Sequence, residues 1–480
     1  MTVRTSMALR LALGFVVFSC LIPYPLQLGP IRTTATDAGF VVALVIVVGA
    51  LLLQPRFRLP QRLVVLLLAF VGLLVWQHIA WVVHPYGRGG IQLLWHIFKN
   101  VWYALPFPLF GFLVATAPPR TRRRFVHALW ACAALSGLLG ILQTATRGTL
   151  FSGVLTNQKY LGFFTPWPAD DIKTLGFDSP EGRAFALQTD SFFVGPVFRA
   201  HGPYNQANAY TSSIGACTTF VVGYYFFRES AQRNWRLRVA LGCTLLGMLA
   251  SLGIAGMAGL LAAVGWATLL RWRFVLTRFV RGWAGLVAIA LLLVGIIVVG
   301  TGVVNGGSLP EPVARRFQRL SRPDQSSGFN GRFSLWAIMS ARLAAQPWFG
   351  ADRPVTARDA GWSNSEGSID NHNLYLAVAY NTGLPAAIGF IGFLLLFFQA
   401  SWRVWKRGQT AEDRAFGFAC HLMFLFLSVV GIANSWNLDA SLTALFWLCG
   451  TICVVLALPP RRPSSSPASE LPFHADARSV

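Results

Sequence analysis

The pattern of apolar positions divides the chain into long hydrophobic runs separated by polar connections. A transmembrane helix needs about twenty mostly apolar residues, and runs of about that length occur twelve times. They lie near residues 9–28, 37–53, 62–83, 93–117, 125–146, 207–227, 235–252, 254–271, 282–303, 383–402, 415–432 and 439–458. The pattern therefore predicts an all-α polytopic membrane protein with about twelve transmembrane helices.

Positive charge marks alternate connections between these runs. Arginine and lysine cluster in the connections that follow the even-numbered runs, for example within residues 120–124. Because cytoplasmic loops are enriched in these residues, the clustered connections and both termini are predicted to be cytoplasmic. Two long connections, 147–206 and 304–382, then face the opposite side. Long loops inside a compact membrane protein usually carry function.

The same pattern divides the chain into four parts. Residues 1–303 hold the first nine membrane helices, including the outer loop 147–206. Residues 304–382 form the large outer loop, and residues 383–458 hold helices ten to twelve. Residues 459–480 are rich in proline and serine and are predicted to form a disordered cytoplasmic tail.

Composition narrows the possible functions. Of 480 residues 54% are apolar and 12% are charged, and the formal net charge is +22. The basic residues lie in short clusters rather than on a face with interleaved aromatics, which argues against nucleic-acid binding. The seven cysteines lie in apolar segments without a C-x-x-C pair, so neither a disulfide framework nor a metal site is predicted. Acidic residues fall in loops or at the ends of runs, which argues against an ion-coupled transporter.

The large outer loop carries eight arginines against six acidic residues. A net-positive loop on the face that is otherwise poor in charge indicates an anionic partner, and guanidinium binds phosphate through two parallel hydrogen bonds. Most of these arginines are equally well explained as a solvated charged surface. Arg332 differs because it lies between Gly331 and the apolar sequence F-S-L-W-A-I-M, where a helix would hold it in place.

His372 lies where a short helix is predicted to begin. Asp370 or Asn371 would cap that helix, which ends near Gly383, so that His372 falls in the first turn. The positive end of a helix disfavours the imidazolium form, which leaves a neutral ring able to accept a proton. The other seven histidines are interpreted as structural.

The first outer loop ends in V-F-R-A-H-G-P-Y-N-Q-A-N-A-Y and runs directly into the sixth predicted span. Its Gly-Pro pair favours a tight turn, and Asn205 or Asn208 can cap the helix that follows. Arg199 is then left at the membrane surface. Lys99 lies within about two turns of the outer end of the fourth span, where its ammonium group either reaches the interface or faces a site.

Four stretches together resemble the O-antigen ligase and O-antigen polymerase superfamily. They are R-A-H-G-P-Y-N-Q-A-N, G-R-F-S-L-W, Q-P-W-F-G and H-N-L-Y-L-A-V-A-Y-N-T-G-L-P-A-A-I-G. The resemblance covers most of the chain from about Phe198 to Leu396. Twelve spans with a large periplasmic loop between the ninth and tenth is also the layout of that family, and the resemblance implies a GT-C-like fold.

The resemblance implies a glycosyltransferase in the bacterial inner membrane, with its active site facing the periplasm. Such an enzyme transfers a glycan from undecaprenyl diphosphate by a metal-independent, inverting reaction that needs no cofactor. Arg199 and Arg332 match the arginines that hold the lipid diphosphate. His372 matches the histidine that orients or deprotonates the acceptor hydroxyl.

The chain departs from the family pattern at two places. An alanine precedes Asn208 where relatives usually have proline, and the turn between the seventh and eighth spans reads S-L-G-I-A-G-M-A-G where they usually have Ser-Arg-Gly. The absent arginine leaves room for Lys99 or another loop arginine in the phosphate site. Lys99, Asn208 and Asn373 are therefore additional candidate site residues.

The family contains several kinds of glycan transfer, which the motifs do not separate. A ligase passes finished glycan to a lipid A core sugar, a polymerase of O-antigen or exopolysaccharide passes it to another lipid-linked repeat unit, and a protein O-oligosaccharyltransferase passes it to Ser or Thr. Ligase is the commoner label for this pattern, while the long aromatic first outer loop favours a polymerase. A polysaccharide flippase, from another class, would need polar residues along a path through several spans, and few are present.

Overall fold

The structure is a computed structural model of the chain. It describes residues 25–28, 31–34, 61–84, 106–145, 193–194, 197–198, 207–227, 235–251, 253–279, 327–356, 372–434 and 440–458, with isolated residues at 10, 14, 200 and 359 and within 41–49.

Helices make up most of these ranges. The eleven helices in the described ranges are α1 (Gln61–Val83), α2 (Pro106–Thr116), α3 (Pro119–Ala145), α4 (Ala207–Phe227), α5 (Trp235–Ala250), α6 (Ile254–Phe279), α7 (Ser327–Ala345), α8 (Leu374–Thr382), α9 (Leu384–Arg407), α10 (Ala411–Ala433) and α11 (Ala440–Leu456). Two short antiparallel hairpins pair β1 (Pro25–Leu28) with β2 (Ile31–Thr34) and β3 (Phe193–Val194) with β4 (Val197–Phe198).

The predicted apolar runs correspond closely to the observed helices. Helices α1 to α6 and α9 to α11 fall on nine of the runs, whereas α7 and α8 lie inside the large predicted outer loop. Within the described residues, α1, α3, α9 and α10 are long and apolar enough to cross a membrane. The run at 282–303 and most of the run at 9–28 lie outside the described residues, so the number of twelve spans stays a prediction.

The all-α fold class is confirmed for the described residues, but the predicted first span, 9–28, is wrong at its C-terminal end. Residues 25–28, assigned there to the first span, form a strand paired with residues 31–34. The two prolines of P-Y-P lack the amide hydrogens that a helix needs, and the Gly-Pro pair that follows the first strand favours a turn. The β-branched residues of I-R-T-T suit the second strand.

Buried charges join the helix ends that the charge pattern assigns to the cytoplasmic side. Arg122, at the start of α3, donates to two carbonyl oxygens at the end of α2 and pairs with Asp413 of α10 at 2.5 Å. Both residues are only 4% exposed. The Tyr224 hydroxyl of α4 donates to the neighbouring carboxylate of Glu412. Because a buried charge is stable only with a partner, Arg122 ties α2, α3 and α10 together.

Small and hydroxyl-bearing residues join the opposite helix ends. Thr211 of α4 donates to the Ser251 hydroxyl after α5 at 2.7 Å, and Asn434 after α10 donates to the Ser212 hydroxyl at 2.6 Å. Tyr210 lies against glycines of α3 and α5. The start of α4 and the ends of α5 and α10 therefore lie together, away from the charged cluster. This alternation of direction is what repeated crossing of a membrane requires.

Buried His421 of α10 has partners on both ring nitrogens. The indole N–H of Trp266 on α6 donates to Nε2 at 3.1 Å. Because indole is only a donor, the ring proton lies on Nδ1, which is 3.3 Å from the Ser401 hydroxyl of α9. That hydroxyl donates to the Phe398 carbonyl oxygen at 2.8 Å. The neutral ring thus joins three helices, which supports a structural role.

Candidate active site

The helix that carries the H-N-L-Y sequence begins later than predicted. Asn373 is its N-cap, with an extended backbone and a side-chain oxygen that accepts the Leu376 amide at 3.0 Å. The prediction of a cap at Asp370 or Asn371 is therefore wrong, and His372 lies one residue before the cap rather than in the first turn. Asparagine is among the strongest N-cap residues, which explains why the helix starts here.

His372 has an unusual backbone conformation. Its φ of +49° is the only positive value at a non-glycine residue in the described part of the chain. Histidine adopts this region more readily than most residues, but such strain still costs on the order of 1 kcal/mol and is concentrated at functional sites. The side chain is half-buried, and the residue directly precedes the N-cap of α8.

Two glycines lock the other end of α8 against the Q-P-W-F-G turn. Gly350 and Gly383 have φ values of +84° and +88°. The Ala351 amide donates to the Tyr380 carbonyl oxygen at 2.8 Å. A Cβ on Gly350 would lie 2.4 Å from that oxygen, and a Cβ on Gly383 would lie 1.8 Å from the Trp348 carbonyl oxygen. The Q-P-W-F-G turn and the C-terminal end of α8 at Gly383 are therefore packed together, and we call this unit the interlocked turn.

Aromatic residues attach α8 to the membrane helices. Trp76 of α1 donates its indole N–H to the Thr382 carbonyl oxygen at 3.1 Å and stacks on Phe349 with ring centroids 5.2 Å apart. At the start of α8, the Tyr375 hydroxyl donates to the Ser428 carbonyl oxygen of α10 at 2.9 Å. Both ends of α8 are thus fixed to the bundle.

Arg332 lies in a helix, as predicted, and its side chain is half-buried. Three residues later Leu335 begins an apolar face of α7 that continues at Met339 and Leu343, a spacing that puts all four residues on one side of the helix. That face packs against α8 and the start of α9, where the contacting residues are Leu376, Ala379, Tyr380 and Ala387. Arg332 therefore lies on or beside the α8-facing side of its helix.

The packing also joins the C-terminal ends of α7 and α8. Both helices end at the interlocked turn, and Leu343 of α7 packs against Ala379 of α8. Arg332 lies toward the other end of α7, and His372 lies just before the start of α8. The approach of these two residues to one cavity stays a prediction.

A polar network that was not predicted joins α7 and α8 near their C-terminal ends. Arg342 donates to the Tyr380 hydroxyl and to the Pro354 carbonyl oxygen, each at 3.3 Å, and its guanidinium is 2.7 Å from Asp359. The Tyr380 hydroxyl donates to the Arg353 carbonyl oxygen at 2.7 Å. The side chains of the ion pair are only 21% and 16% exposed. The sequence suggests solvated charges here because no local pattern connects a helical arginine to a carboxylate 17 residues away.

Local hydrogen bonds keep Asp359 ionised. The pKa of Asp359 is lowered from 3.8 to about 2, first because the Thr356 amide donates to the carboxylate, while burial opposes the change and the Arg342 guanidinium adds to it. Arg353 approaches the same carboxylate at 3.4 Å, but its side chain is 61% exposed. Exposed ion pairs contribute little to stability, so Arg342 is the main cationic partner of Asp359.

The remaining candidates fall wholly or partly outside the described residues. Arg199 and Lys99 lie outside them. Asn208 lies within the first turn of α4 rather than at its cap, and its side chain is not among the described atoms. Ala200, which follows Arg199, donates its amide to the Ala250 carbonyl oxygen at 3.0 Å. The chain next to Arg199 therefore passes beside the turn between α5 and α6.

That turn, S-L-G-I-A-G-M-A-G, has a structural reason for its glycines. A Cβ on Gly253 or Gly256 would lie 2.3 or 2.1 Å from side-chain atoms of Thr211. The Ser251 hydroxyl accepts a hydrogen bond from the same threonine. The departure from the family pattern thus accompanies a close approach of α6 to α4.

A long apolar groove of about 840 Å³ runs along α1 and α9. Its walls include Gly72, Gly389 and Gly392, and its polar side chains, among them Gln61 and Arg403, lie toward the predicted cytoplasmic end. Trp76 and Pro385 line the other end, beside the end of α8. From Pro385 to Arg403 the helix rises about 27 Å, close to the thickness of a bilayer core of about 30 Å.

Residues 239–391 match the family model described as O-antigen ligase. The matched region extends from α5 through α7 and α8 into α9 and contains both Arg332 and His372. No curated protein shows significant similarity to the chain. The match confirms, over residues 239–391, the resemblance of the four sequence motifs to the O-antigen ligase and polymerase superfamily.

Proposed function

We propose that the chain is a membrane glycosyltransferase of the O-antigen ligase type that acts at the periplasmic face. It transfers a glycan from undecaprenyl diphosphate to a sugar acceptor, the lipid A core, during surface polysaccharide assembly. The match at residues 239–391 supports a ligase or polymerase function in that process. The charge pattern supports the orientation, with both termini on the cytoplasmic side of the inner membrane.

In the proposed reaction, the acceptor hydroxyl oxygen attacks the anomeric carbon while the bond from that carbon to the diphosphate breaks. The configuration at the carbon inverts, and the diphosphate leaves on its undecaprenyl chain. His372 accepts the hydroxyl proton. Arg332, together with Arg199, stabilises the negative charge that grows on the diphosphate, because fixed cationic donors need no reorganisation. These guanidinium groups supply the positive charge, so the reaction is proposed to be metal-independent.

The observation that carries this proposal is the pairing of α7 and α8. Arg332 lies in the first half of α7, His372 lies directly before the N-cap of α8, and the interlocked turn and Trp76 fix the C-terminal ends of both helices to the bundle. The strained backbone of His372 adds to this, since strain persists only where surrounding structure holds it. A site that must place a base and a cation on one substrate needs such rigid supports.

The groove along α1 and α9 supports a lipid-linked donor. Its apolar walls and glycines leave room for a hydrocarbon chain, and its outer end at Trp76 and Pro385 adjoins the end of α8. We propose that the isoprenoid chain of the donor lies in this groove, with its diphosphate at the outer end.

Glycan profiling of a deletion strain tests the proposal. Loss of a ligase should leave polymerised glycan on undecaprenyl diphosphate and an unmodified lipid A core. Wild-type protein and an Arg353→Gln control should restore attachment, whereas Arg332→Ala and His372→Ala should not at equal membrane abundance. Accumulation of single repeat units would instead make the chain a polymerase, and unchanged surface glycan would refute both assignments.

A further inference from the structure

We infer that Arg342 is a positioning residue of the transferase, which sets the angle of α7 against α8 and thereby the placement of Arg332 relative to His372. This inference rests on the proposed function, because it concerns the two proposed site residues. Arg342 itself lies toward the opposite end of α7 from Arg332. It is therefore expected to act through geometry and not through contact with substrate.

Arg342 is the point at which three separate segments meet. Its guanidinium binds the Tyr380 hydroxyl of α8, the Pro354 carbonyl oxygen of the connecting segment and the Asp359 carboxylate. The Thr356 amide holds the carboxylate in turn at 3.0 Å. Hydrogen bonds require defined directions, so three acceptors hold the planar guanidinium in place and limit how far α7 can move relative to α8.

The apolar contacts between the two helices leave room for small adjustments of that angle. The α8-facing side of α7 consists of Leu335, Met339 and Leu343. Hydrophobic attraction is non-directional, and methionine adapts readily to a changed neighbour. Loss of the Arg342 contacts should therefore leave α7 attached but free to tilt.

The lengths of the two helices turn a small tilt into a large displacement at the site. Arg332 precedes Arg342 by ten residues, which is about 15 Å of helix. On α8, Leu374 precedes Tyr380 by six residues, a rise of about 9 Å. A tilt of about 4° about the Arg342 contacts moves the far end of α7 by about 1 Å. A misplacement of that size can reduce turnover by about 10²-fold.

Arg353 provides a matched control for the charge itself. It approaches the same carboxylate oxygen of Asp359 at 3.4 Å, but its side chain is 61% exposed and does not bridge the helices. Arg342→Gln and Arg353→Gln each remove one positive charge beside Asp359. Only the first removes the side-chain hydrogen bond between α7 and α8.

Turnover of the purified variants, with saturating lipid-linked glycan and acceptor, tests the inference. Arg342→Gln should reduce kcat by about 10²-fold with an unfolding temperature close to that of Arg353→Gln, whose kcat should be near wild type. Arg342→Lys should restore only part of kcat, because ammonium lacks the planar donor geometry. In a His372→Ala background, Arg342→Gln should cause little further loss, since interacting positions are not additive. Equal kcat for the two glutamine variants, or a full second loss in the His372→Ala background, would overturn the inference.

Hydrogen exchange gives a readout that does not depend on activity. In Arg342→Gln, amides near the start of α7 and of α8 should exchange faster than in Arg353→Gln, while those of α10 stay unchanged. Identical exchange in both variants would overturn the inference even if turnover fell. If His372→Ala alone kept full turnover, the role proposed for His372 would fail, and the exchange comparison would still test Arg342 separately.

Discussion

Replacement of Gly383 by alanine probes the interlock between α8 and the Q-P-W-F-G turn. Gly383 has φ +88° and ψ 167°, a region nearly restricted to glycine that costs other residues about 1–3 kcal/mol. The new Cβ would also lie 1.8 Å from the Trp348 carbonyl oxygen, so the turn must shift at an overpacking cost of about 1–3 kcal/mol. We therefore expect Gly383→Ala to destabilise the protein by about 2–6 kcal/mol.

The assay compares thermal unfolding of purified Gly383→Ala and Gly265→Ala in the same detergent. Gly265 lies on α6, and an added Cβ there meets no atom within 4 Å, so alanine should be neutral or slightly stabilising. Gly383→Ala should unfold at a clearly lower temperature. It should also lose surface glycan attachment, because a displaced turn carries Phe349 away from Trp76.

Unfolding of the two variants at the same temperature, with glycan attachment restored by both, would contradict this prediction. In that case neither the glycine-only backbone at Gly383 nor the contact with Trp348 would matter to the site. Loss of glycan attachment without any loss of stability would show that the turn matters for geometry and that the energetic estimate is wrong.

Three further perturbations test other parts of the structure. Gly72 lines the groove, and a Cβ added there would meet no atom within 4 Å, as is also true of Gly242 on α5. Gly72→Leu should therefore raise the KM for the lipid-linked donor, whereas Gly242→Leu, which is outside the groove, should not. Arg122→Met leaves a buried carboxylate unpaired and should destabilise by about 3–5 kcal/mol in chemical unfolding, while Arg123→Met, whose side chain is 49% exposed, should cost far less. Asp359→Asn should lower the unfolding temperature above about pH 4. The difference from wild type should disappear as the pH falls to about 2, because the lowered pKa of Asp359 gives stability that protonation removes. A difference that persists below about pH 2 would contradict this.

Hydrophobic periodicity predicted most of the helical architecture. The run at 207–227 became Ala207–Phe227, and the run at 62–83 became Gln61–Val83. This agreement has a physical cause, because a chain in lipid must satisfy its backbone hydrogen bonds internally and an apolar run can do so only as a helix. Where proline and a Gly-Pro pair broke the first run, periodicity alone was insufficient and a hairpin formed.

The candidate site was harder to predict than the helices, because it depends on contacts between residues that are distant in the sequence. Arg332 was placed correctly in a helix because its apolar neighbours are local. The cap of α8 was misplaced by two or three residues, since Asp370, Asn371 and Asn373 are all good capping residues and packing decides among them. The polar network of Arg342 and Asp359 could not be predicted from the local sequence, because it depends on how α7 packs against α8.

Donor binding by purified variants tests most directly whether Arg332 and His372 divide the chemistry between donor and acceptor. Affinity for an undecaprenyl-diphosphate glycan and turnover would be measured on the same His372→Ala and Arg332→Ala samples. His372→Ala should bind donor nearly as wild type while turnover falls by about 10²–10⁴-fold. Arg332→Ala should lose both, since it removes a charge-assisted contact worth roughly 1.5–3 kcal/mol. An equal loss of donor affinity in both variants would contradict the assignment of His372 to the acceptor.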